Sequence, residues 1–136
     1  MQPTLPPYAR LLGIDFASHD DGEQGPPLLV MPFSGNVLGR PGFLHGGAIA
    51  GLLEMAAIVA LLEAATDTPS IDRVKPINMT TDFMRGGRDA PTFARGSIGR
   101  LGNRVANVDV LAWQDDRDRP IARAHMNFLL VAKAPD

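Results

Sequence analysis

The chain has 136 residues, about one domain's worth, and no cysteine, which excludes disulfide frameworks, thiolate metal centres, iron–sulfur clusters and cysteine nucleophiles. Thirteen Lys and Arg against fifteen Asp and Glu leave a formal charge of −2, so neither a nucleic-acid groove nor an anionic membrane surface is expected as the main partner. A composition of 45% hydrophobic and 21% charged residues is that of an ordinary globular domain, read here as a single unit over 1–136.

The start, Met1 to Pro7, has neither a basic segment nor an apolar one, so no signal peptide is expected and the predicted location is cytoplasmic. Residues 1–8 read as a flexible arm, followed by a short helical turn at Tyr8–Leu12. Short strands are predicted at Ile14–Asp20 and Leu28–Phe33, separated by the turn cluster Asp20–Pro26. A Gly- and Pro-punctuated loop, Ser34–Leu44, then leads into a helix at about Gly46–Ala65 that is apolar nearly all round. A helix with no polar face is surrounded by protein. Its apolar run, Gly46–Leu62, is interrupted by Glu54 and falls short of the ~20 residues that span a bilayer.

Beyond the helix the pattern alternates with period two. Val74–Arg85 places Ile77, Met79, Thr81 and Phe83 on one face. Phe93–Leu101 is a weaker strand broken by glycine. Arg104–Trp113 places Ala106, Val108, Val110 and Ala112 opposite Asn107 and Asp109. Arg119–Lys133 places Ala122, Ala124, Met126, Phe128 and Leu130 opposite Arg123, His125 and Asn127. Turns at Gly86–Asp89, Gly102–Asn103 and Asp115–Asp118 join these strands as a meander. The fold class is therefore α+β, an antiparallel sheet wrapping one long helix. His19, His45 and His125 are far apart and have no acidic companions at ligand spacing, so no metal site is expected.

Glu54 demands an explanation, because a lone carboxylate among Leu52, Leu53, Met55 and Ile58 is costly without a partner. One turn away lie Ala50, Gly51 and Ala57, small residues that leave room beside it. Either an arginine pairs with it or it forms the reactive wall of a slot. At the helix start, His45-Gly46-Gly47 presents backbone donors that lack intrahelical acceptors at the positive end of the dipole. Such donors can hold an oxygen that gains negative charge during attack on a carbonyl.

The run Arg40-Pro41-Gly42-Phe43-Leu44-His45-Gly46-Gly47 through Leu53-Glu54 resembles hotdog-fold acyl-CoA thioesterases of the phenylacetate-pathway (PaaI-like) type. In that family a His-Gly-Gly motif opens the central helix and an acid follows nine positions after the histidine, where Glu54 stands. The likeness continues in Thr81–Arg85, Arg100–Arg104 and Pro120–Ala124, and so covers nearly the whole domain from Leu28 onward. It implies a hotdog dimer or tetramer (a dimer of dimers) with sites at protomer interfaces. The substrate implied is a small aromatic or medium-chain acyl-CoA, with coenzyme A arriving as part of the substrate and no separate cofactor. Glu54 is then base or nucleophile, the Gly46 N–H holds the thioester oxygen with Gly47 beside it, and His45 shapes the pocket or contacts the sulfur side. Phe83, Met84 and Arg85 line the acyl and pantetheine path, while Gly102, Asn103 and Arg104 meet the coenzyme A phosphates, which favour arginine.

This sequence departs from the family pattern at two places. The Asn or Gln usual six positions before the histidine is Gly39, with Asn36 as a substitute if the loop folds back, and the Ser or Thr often found four after a glutamate is Ile58. A non-catalytic acyl-CoA binder is the alternative those losses favour. A hydroxyacyl-thioester dehydratase is disfavoured, because the only histidine upstream of the helix motif, His19, lies in no His-Phe-Pro-type loop.

Overall fold

The computed structural model describes residues 3–18 and 25–134. His19 and the turn residues 20–24 lie outside the described residues. The elements are α1 (Pro7–Leu11), β1 (Asp15–Phe16), β2 (Leu28–Met31), a 3-10 turn (Gly35–Val37), α2 (Gly46–Ala65), β3 (Ile71–Phe83), β4 (Thr92–Leu101), β5 (Val105–Trp113) and β6 (Ala122–Ala132). All six strands form one antiparallel sheet in the order β1-β2-β4-β5-β6-β3.

The absence of a polar stripe on α2 follows from where it sits. Leu52, Leu53, Ala56, Ala57, Val59 and Leu61 are all completely buried against the curved face of the sheet. Each buried leucine contributes roughly 1.5–3 kcal/mol of hydrophobic stabilisation. The approach is close because small residues meet: a Cβ on Gly96 of β4 would lie 2.9 Å from Ala60 Cβ and 3.0 Å from the Ala56 carbonyl oxygen. At 20 residues α2 is in fact long and apolar enough to cross a bilayer, contrary to the length argument above. Its burial in the protein's own core, not its length, accounts for its composition.

The alternation in β5 and β6 holds throughout: Ala106, Val108, Val110 and Ala112, with Ala122, Ala124, Met126, Phe128 and Leu130, are buried beneath α2. The β3 pattern needs a correction. A bulge between Pro76 and Asn78 adds Ile77 to the strand, so Ile77 leaves the face it was expected to share with Met79 and Thr81 and is 54% exposed. Pro76, which has no N–H to give the ladder, stands at that irregularity.

The connectivity also differs from a meander through all four long strands. Only β4-β5-β6 form one; β3 pairs with β6 at the far edge. The Gly86–Asp89 segment is therefore no hairpin but part of a crossing over the end of the sheet. Alternation specifies which face a residue takes and is silent on which neighbour a strand chooses.

The amino-terminal arm is tied down from Pro7 onward. Ala9 is fully buried and Leu12 nearly so. A Cβ on Gly51 would lie 2.8 Å from Leu12 Cδ1 and 3.2 Å from the Tyr8 ring, so α1 docks on α2 where the helix has no side chain.

Candidate active site

The start of α2 is built by two loops folding onto it. Residues 37–45 double back: the Gly39 N–H donates to the Phe43 carbonyl (3.0 Å) and the His45 N–H to the Val37 carbonyl (2.8 Å). The crossing after β3 then closes over the sheet end, with the Met84 and Arg85 N–H groups donating to the Ile121 carbonyl and the Leu44 N–H to the Gly87 carbonyl (2.9 Å). Phe43 locks the loops together, its ring held between the Arg40 and Arg88 guanidiniums, 4.0 and 4.3 Å from the centroid. Gln114 ties down the second loop through the Arg88 N–H and carbonyl, both at 3.0 Å, and the Thr92 hydroxyl.

His45 is the N-cap of α2. Its Nδ1 accepts from the Gly47 N–H at 2.8 Å, which leaves the ring proton on Nε2. This corrects one expectation: the Gly47 amide is already occupied and cannot hold a substrate oxygen. A Cβ at position 47 would come within 2.9 Å of that same Nδ1, so glycine there serves the cap. The Gly46 N–H, in contrast, has no acceptor among the described residues. Gly46 borders a cleft of about 420 Å³ together with Phe83, Met84 and Arg85. The Phe83 ring stands 3.6 Å from where a Gly46 Cβ would be. Four residues proposed from sequence thus meet in one place.

Glu54 is half-buried on the one stripe of α2 that the sheet leaves partly uncovered, with Ala50 and Ile58. No arginine pairs with it among the described residues, so the bland explanation for a carboxylate in this helix fails within the protomer. It lies eight residues beyond Gly46, about 12 Å along the helix axis.

Gly102, Asn103 and Arg104 form a separate cluster, lining a cavity of about 440 Å³ with Arg100 and Asn107. Phe83 stands opposite Ala122, whereas Leu130 donates to the Arg104 carbonyl, so the two clusters are about 25 Å apart along β6 in one protomer. Asn36 is exposed in the 3-10 turn, next to the Val37 carbonyl that receives the His45 N–H, so the loop does fold back toward the helix start. A side chain at position 39 would be tight: its Cβ would sit 3.0 Å from His45 Cα, and the His45 backbone would have to yield slightly. A further cavity of about 550 Å³ opens on the convex face of the sheet around Leu111 and Trp113, and neither Gly46 nor Glu54 borders it. Sequence reasoning missed Phe43, whose clamp depends on Arg88, 45 residues away.

A single apolar helix gripped by an antiparallel sheet, with an open glycine amide at its start and a carboxylate further along it, defines a hotdog protein equipped for thioester chemistry. The thioesterase superfamily model matches residues 41–121, more than half of the chain, and the chain belongs to that superfamily of thioester hydrolases. A Chromobacterium violaceum protein of solved structure is 38% identical, over 92% of this chain and 83% of its own, with a TM-score of 0.70. A thioesterase of Pseudomonas aeruginosa, solved as a mutant, is 24% identical over 93% of this chain and 86% of its own (TM-score 0.76). A phenylacetic acid degradation-related protein of Ralstonia eutropha is 20% identical over 94% and 92% (TM-score 0.78), and shares the fold. No curated protein matches the chain.

Proposed function

We propose that the protein hydrolyses small aromatic or medium-chain acyl-CoA thioesters to the free acid and coenzyme A. The observation that carries this reading is the unpaired N–H of Gly46, a residue that borders a cleft walled by Phe83, Met84 and Arg85 at the head of α2. A thioester oxygen held there gains charge where the amide and the helix dipole favour it. Glu54 takes a proton from water as the water attacks the carbonyl carbon, and the thiolate leaves to be protonated as coenzyme A.

About 12 Å along one helix is too far for Glu54 and Gly46 of the same protomer to serve one carbonyl. The site is therefore completed by a second copy of the chain. β3 is the means: it runs 13 residues along the sheet edge, paired on one side only. Antiparallel pairing of two β3 edges about a twofold axis sets the Ile71 end of one strand beside the Phe83 end of the other. The Arg104 turn adjoins the Val74–Leu130 pair near that Ile71 end, so the partner's copy approaches Phe83 and Arg85 and reunites the two clusters. Coenzyme A phosphates then meet Arg104 and Arg85.

The second reading, an acyl-CoA binder without turnover, is favoured by Gly39 and Ile58 standing where polar residues assist the family's acid. Release of free thiol from aromatic and medium-chain acyl-CoAs distinguishes the two, and the protein adds no thiol of its own. Turnover that collapses in Glu54→Gln supports the hydrolase. No release from any thioester, together with a melting temperature raised by acyl-CoA, supports the binder.

A further inference from the structure

The amino-terminal helix α1 packs on α2 one turn before Glu54. Gly51 is the contact point, and the Tyr8 ring reaches to 3.2 Å and its hydroxyl to 3.6 Å from where a Gly51 Cβ would be. Gly51 and Glu54 are neighbours on the helix surface, three residues apart. Side chains on a helix lean toward its N-terminus and lie over the residues three and four before them. Glu54 thus stands one helical turn beyond Gly51, the residue at which the Tyr8 hydroxyl arrives, and its side chain can reach back over that turn. Gly51 and Ala50 are both small, so nothing intervenes from α2 itself.

The Tyr8 hydroxyl has no hydrogen-bond partner among the described residues, and Tyr8 is 46% exposed although α1 is docked through the buried Ala9 and Leu12. The positions that assist the acid in the family carry no polar side chain here: Gly39 lies close against the His45 backbone, and Ile58 has no polar atom.

We propose that Tyr8 is a positioning residue for the reaction: with a thioester bound, its unpartnered hydroxyl donates to the Glu54 carboxylate, likewise unpartnered one helical turn away, and holds it toward the thioester. This rests on the proposed thioesterase reading, and it makes α1 part of the active site. The hydroxyl fixes one carboxylate oxygen and leaves the other free to take a proton from water. The glycine at position 51 is then explained by access: any side chain there would push the Tyr8 ring off the turn.

Tyr8→Phe removes the hydroxyl and keeps the ring that packs on Gly51. The expected result, from thiol release on the best acyl-CoA, is a kcat lower by about tenfold with KM unchanged within about twofold. The melting temperature stays at the wild-type value. Glu54→Asp shortens the acid and withdraws it from Tyr8, so adding Tyr8→Phe to Glu54→Asp should cost nothing further. A kcat for Tyr8→Phe within twofold of wild type overturns the proposal. So does the same fractional loss on both backgrounds, which is the mark of a packing role alone. If the wild-type protein releases no thiol from any acyl-CoA, the thioesterase reading itself falls, and an active wild type with an indifferent Tyr8→Phe removes only the role of Tyr8.

Discussion

The two faces of the sheet treat polar groups in opposite ways. On the convex face, polar side chains stand in cross-strand rows and satisfy one another. Asn107 donates to Asn127, which donates to Asn78; His125 Nδ1 meets Asp109 at 2.8 Å; Arg123 Nε donates to Asp82 at 2.9 Å. On the helix side the polar groups are few, and the Gly46 amide, the Glu54 carboxylate and the Tyr8 hydroxyl lack partners among the described residues. An ordered set of ionisable groups with mutual bonds is a solvated surface. Unspent donors and acceptors around a cleft are what a substrate can use. By that criterion the Asp109–His125 pair, which by composition could pass for catalytic, belongs to the surface, whereas the unpaired Glu54 stays available to a substrate.

Substitutions can break this contrast from either side. The largest effect is expected for Glu54→Gln, a loss of about 10²–10⁴-fold in kcat/KM, read by thiol release. Next is Gly46→Pro. His45 already has φ −70° and ψ 136°, the conformation that precedes proline, and Gly46 is the first helical residue, where proline is well tolerated. The change therefore deletes the open N–H while keeping the helix, and kcat should fall about 10²–10³-fold with the far-ultraviolet circular dichroism unchanged. Gly39→Asn adds the family's amide where a Cβ would press on the His45 backbone, and denaturant unfolding should show a loss of about 1–3 kcal/mol. Smallest is Arg123→Ala on the convex face. Its ion pair with Asp82 is more than half exposed at both ends, so activity should stay at wild type and stability should move by less than about 1 kcal/mol.

Much of this was legible in the sequence, for identifiable reasons. The bounds of α2 follow from glycine at its start, the unbroken apolar run and the Asp67–Pro69 stop. The inner faces of β5 and β6 follow from strict alternation over their whole lengths. The placing of β3 beside β6 was not legible, because alternation carries no information on neighbours, and the Ile77 bulge shifts its pattern midway. At the site, Glu54 and Gly46 stood out as polar groups in an apolar helix. The loss of the Gly47 amide to His45 did not, since one glycine N–H reads like the next until the cap geometry is known. Tyr8 was hidden for a similar reason: a tyrosine in a proline-rich start has no visible partner until Gly51 is seen as its landing point.

Mixed assembly of two inactive chains tests whether one protomer's Gly46 works with the other's Glu54. Gly46→Pro and Glu54→Gln are co-expressed, purified together and assayed for thiol release from acyl-CoA. A composite site predicts that activity returns, to about a quarter of wild type with random pairing in twofold dimers, because each mixed dimer holds one intact pair. Mixed assemblies as inactive as either parent would place both groups within one chain and rule out a composite site.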